Sequence, residues 1–228
     1  MPRRARIVAA GFPHHVTHRG YDKGKTFFGD NDYAGYLAIL GQEARRAGVE
    51  IWAYCLMPNH VHLILVPKDE SGLAKAVGET SRRHAYAVNR REGKQGRLWQ
   101  SRFYSVALDE RHLMEAARYV LLNPVRAKLT KSPGRWKWSS LKAHERGSDP
   151  LVTTAPLHSR IGSFETFLSV GLAHDAAKKV RAATKSGKPL GDDAFVDRLS
   201  QLLGCDVATR PRGRPRAAAK VAGTSTPT

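Results

Sequence analysis

Apolar and polar positions along this chain switch between two periods, and the switches outline its elements. Residues 12–19, Phe-Pro-His-His-Val-Thr-His-Arg, predict a first strand ending at Gly20. Over 31–47 the spacing turns helical: Tyr33, Tyr36, Leu37, Leu40 and Ala44 recur at helical intervals, and Gly48 marks the stop. Two β-rich runs follow, 49–57 and 60–67, parted by Pro58-Asn59, which reads as a hairpin turn. A second helix is predicted from Ser71 to about Arg91, with Leu73, Val77, His84 and Val88 near one face and Ser71 as its N-cap. Residues 93–96 read as a loop and 99–108 as a fourth strand. Asp109 is placed to cap a third helix that runs to Asn123, where Pro124 ends it.

The order β-α-β-β-α-β followed by a helix predicts an α+β, ferredoxin-like sandwich over residues 1–146. Its central antiparallel sheet carries helices on one face and leaves the other free to bind a partner. Beyond 147 the pattern loosens. Residues 147–205 read as a helical extension, with short helices over 164–172, 173–184 and 193–203. Residues 206–228 are rich in Pro, Gly, Ala, Arg and Thr, and this basic tail has too little apolar surface to offset the entropy of ordering.

Charge sharpens the picture. The 228 residues hold 38 Lys+Arg against 20 Asp+Glu, a formal net charge of +18. Such an excess favours an anionic partner. No apolar run reaches the roughly 18 residues of a membrane span, and the Met1-Pro2-Arg3-Arg4-Ala5-Arg6 start lacks the apolar core of a signal peptide. Two distant cysteines, Cys55 and Cys205, argue against a disulfide framework and for a reducing, cytoplasmic setting.

The candidate chemistry begins at His60-Val61-His62. In a strand, residues two apart point to one side, so both imidazoles can converge on one point, and imidazole is a common metal ligand. On the third helix Tyr119 and Asn123 are four apart and share a face. Two imidazoles and an amide oxygen would hold a divalent ion with positions left open, and a tyrosine one turn away could supply an oxygen nucleophile. Mixed nitrogen and oxygen donors suit Mn²⁺ or Mg²⁺ better than a closed structural zinc site. Cys55, five residues before His60, keeps a Cys/His zinc site open as the lesser alternative.

Residues 53–62, Ala-Tyr-Cys-Leu-Met-Pro-Asn-His-Val-His, resemble the signature of the HUH single-tyrosine transposases, and within them the REP-associated tyrosine transposases. The likeness extends over roughly residues 6–145, through His15-Val16-Thr17-His18-Arg19-Gly20, Leu98-Trp99-Gln100-Ser101-Arg102-Phe103, the stretch Tyr119–Ala127, and Trp138-Ser139-Ser140. The resemblance implies His60 and His62 as metal ligands, Tyr119 as nucleophile and Asn123 as third ligand, where many relatives carry glutamine. It also implies Mg²⁺ or Mn²⁺ as cofactor, and cleavage and rejoining of single-stranded DNA through a 5′-phosphotyrosine. The expected substrate is a REP-type palindromic hairpin, the expected state a monomer or homodimer, and the expected location the cytoplasm, in association with the nucleoid. No small-molecule cofactor and no membrane are expected. A DNA-binding regulator with little or no cleavage is the alternative, and a nuclease using metal-activated water is a further one.

DNA contacts are expected from Arg19, after the first strand, and from Arg82, Arg83, Arg90, Arg91, Arg97 and Arg102, because basic groups neutralise phosphates. Trp99 is the candidate for stacking on unpaired bases, with a place in the core equally open to it. In the tail, Arg212 and Arg214 lie within Pro211-Arg212-Gly213-Arg214-Pro215, which resembles an AT-hook that lays arginines into the minor groove.

Overall fold

Alternating apolar residues build a four-stranded antiparallel sheet in a computed structural model that describes residues 5–208. The strands are β1 (His14–Arg19), β2 (Val49–Met57), β3 (His60–Pro67) and β4 (Tyr104–Ala107), in the order β2-β3-β1-β4. Helices α1 (Asp30–Arg46) and α2 (Gly72–Arg91) fill the two crossovers, and α3 (Glu110–Arg126) follows β4. This is the expected ferredoxin-like sandwich. Pro58-Asn59 forms the tight turn between β2 and β3, with Met57 opposite His60. The loop after β1 grips that turn, because Gly20 N donates to Asn59 O at 2.8 Å and Thr26 N to Pro58 O at 2.9 Å. Gly20 is required there: a Cβ would lie 2.2 Å from the Gly24 carbonyl oxygen.

Side-chain alternation divides the core. Val16, Val61, Leu63 and Leu65 face α1 and α2. Ile64, Val66, Cys55 and Val106 face the other way, into a core shared with α3. The second face is therefore not bare, as the sequence pattern suggested, but covered over most of its area. An apolar sheet face needs such a cover.

Residues 141–203 supply five more helices: α4 (Leu141–Arg146), α5 (Ala155–His158), α6 (Phe164–Ser169), α7 (His174–Ser186) and α8 (Asp193–Leu203). Leu157, Phe164, Leu168 and Val180 join the α3 core, and Phe195 and Leu199 of α8 pack with Ala9 and Ala107. The pattern anticipated α6, α7 and α8 within a few residues of their ends and missed α4 and α5.

Three local expectations need correction. Helix α3 does not end at Asn123 but continues through Pro124 to Arg126. Proline near a helix end removes only one backbone hydrogen bond. Here the last turn is secured by Ala127 N to Asn123 O and Leu129 N to Pro124 O, both 2.9 Å. Ser71 does not cap α2, because its hydroxyl donates to Asp69 Oδ1 at 2.6 Å. The fourth strand starts at Tyr104, and Trp99 makes only an isolated bridge to Gly20.

Asp109 does cap α3. Its Oδ1 accepts from His112 N at 2.8 Å, and its Oδ2 accepts from Asp192 N at 3.1 Å. Asp109→Ala is expected to lower stability by about 1–2 kcal/mol, the usual cost of an N-cap. Urea unfolding of the variant checks this, with Asp109→Asn recovering most of the loss.

Candidate active site

Because the side chains of β3 alternate, His60 and His62 share a face with Ile64, on the side of α3. Thr17 of β1 pairs with His62 and Arg19 with His60, so Thr17, Arg19 and His15 stand on that face too. Where the cover of α3 and α7 stops short of this end of the sheet, a cavity of about 360 Å³ remains. It is lined by His60, His62, Tyr119, His15 and Arg19 from the sheet and α3, and by α7 through Arg181, Thr184 and Lys185.

The two candidate imidazoles meet edge to face, with ring centroids 4.9 Å apart. The Tyr119 ring lies 5.1 Å from the His62 ring, also edge-on, and the Arg126 guanidinium is 5.6 Å from the Tyr119 ring centre. Tyr119 is only 4% exposed. The structure thus brings His60, His62 and Tyr119 together. Asn123 follows one turn later on α3 and is buried, but it is not among the residues lining the cavity.

Both histidines are oriented from behind. His60 Nδ1 lies 2.6 Å from Asn59 Oδ1, and His62 Nδ1 lies 2.9 Å from His15 Nε2. These bonds engage Nδ1 of each ring and leave Nε2 as the nitrogen for an ion, the usual arrangement behind metal-ligating histidine. Burial, reinforced by Arg19, lowers the pKa of His60 to about 4. Burial, with the neighbouring histidines and Arg19 adding to it, holds His62 well below the usual value. Burial alone brings His15 to about 3. All three rings are neutral near pH 7, the form that ligates metals. This donor set fits a divalent ion. Among the described residues no group of three or more His, Cys, Asp or Glu is placed to hold one, so a further protein donor would come from an amide, hydroxyl or backbone carbonyl oxygen. Cys55 stands opposite His62 on β2, but burial pushes its thiol pKa up, away from the thiolate that zinc requires.

Comparison with known proteins decides the family. Residues 13–122 match the model of the IS200-like transposases, a region that includes β1, the His60–His62 strand and Tyr119. Residues 13–122 form an IS200-like transposase domain. It is similar to a solved REP-associated tyrosine transposase bound to a REP hairpin, at 20% identity and a TM-score of 0.55, covering 66% of this chain and 90% of that one. That similarity shows a common fold. A protein of Deinococcus radiodurans R1 assigned as a transposase aligns at 21% identity and a TM-score of 0.38, over 52% of this chain and 95% of that one. No curated protein matches.

The expected DNA contacts divide sharply. Arg19 stands exposed at the mouth of the cavity. Arg90 and Arg97 are exposed, and Arg102 lines a second cleft that adjoins the cavity at Tyr104 and Lys185. Three others are tied into the helical layer. Arg82 donates through Nε to Glu79 at 2.9 Å, Arg83 pairs with Glu43 of α1 at 2.5 Å, and Arg91 holds Asp32 with Nη2 to Oδ2 at 2.9 Å. Their charge serves first to neutralise carboxylates of their own and the neighbouring helix. Trp99 is not a stacking platform: it is 8% exposed, its ring lies 4.3 Å from that of His18, and its Nε1 donates to Ser81 O at 3.0 Å. An aromatic ring so enclosed has no face to offer a base. Arg212 and Arg214 lie outside the described residues.

His15, Arg181, Thr184 and Lys185 went unrecognised in the sequence. Arg181, Thr184 and Lys185 carry a weak signal, since their spacing of three and four puts them on one face of α7. No helix among the described residues is long and apolar enough to cross a membrane.

Proposed function

We propose that this transposase cleaves and rejoins single-stranded DNA with Tyr119 as nucleophile. The observation that carries the reading is the Tyr119 ring beside the His60–His62 pair, 5.1 Å from the nearer imidazole, in a cavity edged by cations. His60 and His62 hold a divalent ion, Mg²⁺ or Mn²⁺, through Nε2, and Asn123, on the same face of α3 as Tyr119, is the proposed third donor. Such an ion supplies Lewis acidity at the scissile phosphate. Arg19, Arg181 and Lys185 place that phosphate, since charge-assisted hydrogen bonds to its oxygens are the strong ones. The Tyr119 oxygen bonds to phosphorus as the P–O3′ bond breaks. The phenolic proton is transferred, in net terms, to the departing 3′-oxygen. The products are a 5′-phosphotyrosine and a free 3′-hydroxyl, which retain the bond energy for rejoining. A folded hairpin is the proposed substrate, supported by the shared fold with a transposase bound to a REP hairpin.

The test mixes the protein with hairpin-bearing single-stranded oligonucleotides and Mn²⁺ or Mg²⁺. A protein–DNA species that survives denaturant is expected, and chelation of the ion should remove it. Cleaved DNA without any attached protein would instead favour attack by water.

A further inference from the structure

We propose that Thr184 of α7 and His15 of β1 are positioning residues that select the metal-binding tautomer of His62. The inference rests on the ion site described above and assigns its control to a helix outside the matched family region. A continuous file of hydrogen bonds runs from α7 to the cavity. Thr184 Oγ1 lies 2.7 Å from the Val180 carbonyl oxygen and 2.7 Å from His15 Nδ1. His15 Nε2 lies 2.9 Å from His62 Nδ1. Thr184 and His15 are each 1% exposed and His62 4%, so water does not compete for these atoms.

With neutral rings the file has two proton orders. In one, the threonine hydroxyl donates to the Val180 carbonyl and its oxygen accepts from His15 Nδ1–H. His15 Nε2 then accepts from His62 Nδ1–H, and His62 Nε2 bears a bare lone pair toward the cavity. In the other, the hydroxyl donates to His15 Nδ1 and every later proton shifts along. His62 Nε2 is then protonated and unable to ligate. The first order makes three hydrogen bonds and the second only two, because the hydroxyl has a single proton. The Val180 carbonyl therefore breaks the tie in favour of the ligating form. This is the outer-shell orientation common behind metal-bound histidine, relayed through one additional ring.

The test needs no turnover. Long-range ¹H–¹⁵N spectra of the metal-free protein should show His15 and His62 both protonated at Nδ1; His62 protonated at Nε2 would overturn the proposal. Mn²⁺ binding to the DNA-free protein gives a second measurement. Thr184→Val should weaken it about tenfold, while Thr184→Ser, which restores the hydroxyl, should stay within about twofold. Unchanged affinity in Thr184→Val, or an equal loss in Thr184→Ser, overturns the proposal and leaves the ion site standing. An unaltered protein that binds no Mn²⁺ overturns the ion site and this inference with it.

Discussion

With phenylalanine in place of Tyr119, the protein is expected to bind hairpin-bearing single-stranded DNA about as the unaltered chain does and to form no covalent adduct with it. The substitution removes one oxygen and keeps the ring. Tyr119 belongs to the core of the second sheet face, the cluster that also holds Ile64 and Val106 of the sheet. Its ring meets both the His62 and the His15 rings edge-on, at 5.1 and 5.9 Å. A phenyl group preserves those contacts, so the fold and the histidine geometry survive. The cations at the cavity, Arg19, Arg181 and Lys185, are untouched, and they dominate phosphate affinity. Strand cleavage should fall by about 10⁴-fold or more, the scale seen when a covalent nucleophile is removed. Gel shift and denaturing electrophoresis on the same samples separate the two effects. Undiminished adduct would move the nucleophile elsewhere, first to Tyr104, which lines the same cavity and is partly exposed.

The parts of this molecule legible in its sequence are those written by short-range periodicity. The β2–β3 hairpin follows from alternation and Pro58-Asn59, and it alone puts His60 and His62 on one side. The cap at Asp109 and the spacing of Tyr119 and Asn123 are equally local. What escaped depends on partners far along the chain. Arg83 and Arg91 look like a phosphate-binding stripe until α1 brings Glu43 and Asp32 against them, 40 and 59 residues away. Trp99, set among basic residues, reads equally as a stacking ring or as core, and its bridge to Gly20 and its packing on His18 decide for the core. The bond between His15 and Thr184 spans 169 residues, and no local pattern announces it. Pro124 misled for the opposite reason: its local rule is sound, but burial in the core outweighs one missing hydrogen bond.

The same burial that prepares the histidines for their tasks makes the fold acid-sensitive, and stability is expected to drop steeply below about pH 6.5. Three histidines away from the candidate ion site establish this. His14, fully buried, lies with Nδ1 2.8 Å from Phe12 O, and its Nε2 accepts from Ala9 N at 3.2 Å. His18 lies against Trp99, with Nε2 2.7 Å from Ser101 O and Nδ1 2.9 Å from Ser81 Oγ. His144 lies 3.0 Å from Trp52 O through Nε2 and stacks on Phe164. Burial is the main reason that each has its pKa lowered from 6.5 to about 4. The folded pKa is below the unfolded one, so the unfolded chain takes up protons first. The stabilisation is complete above about pH 6.5 and is lost as pH falls toward 4. Each ring contributes a slope of about 1.4 kcal/mol per pH unit in that window. Together they remove on the order of 10 kcal/mol by pH 4, comparable to the whole stability of an ordinary domain. His15 and His60, also lowered by burial, act in the same direction. Urea unfolding at half-unit steps from pH 7.5 to 4.5 measures the slope. His144→Gln, which keeps a donor for the Trp52 carbonyl but cannot titrate, should flatten it by about one proton. A stability that stays level across that range would mean that these rings gain access to water in acid without unfolding, and that the core around β1 is looser than its packing implies.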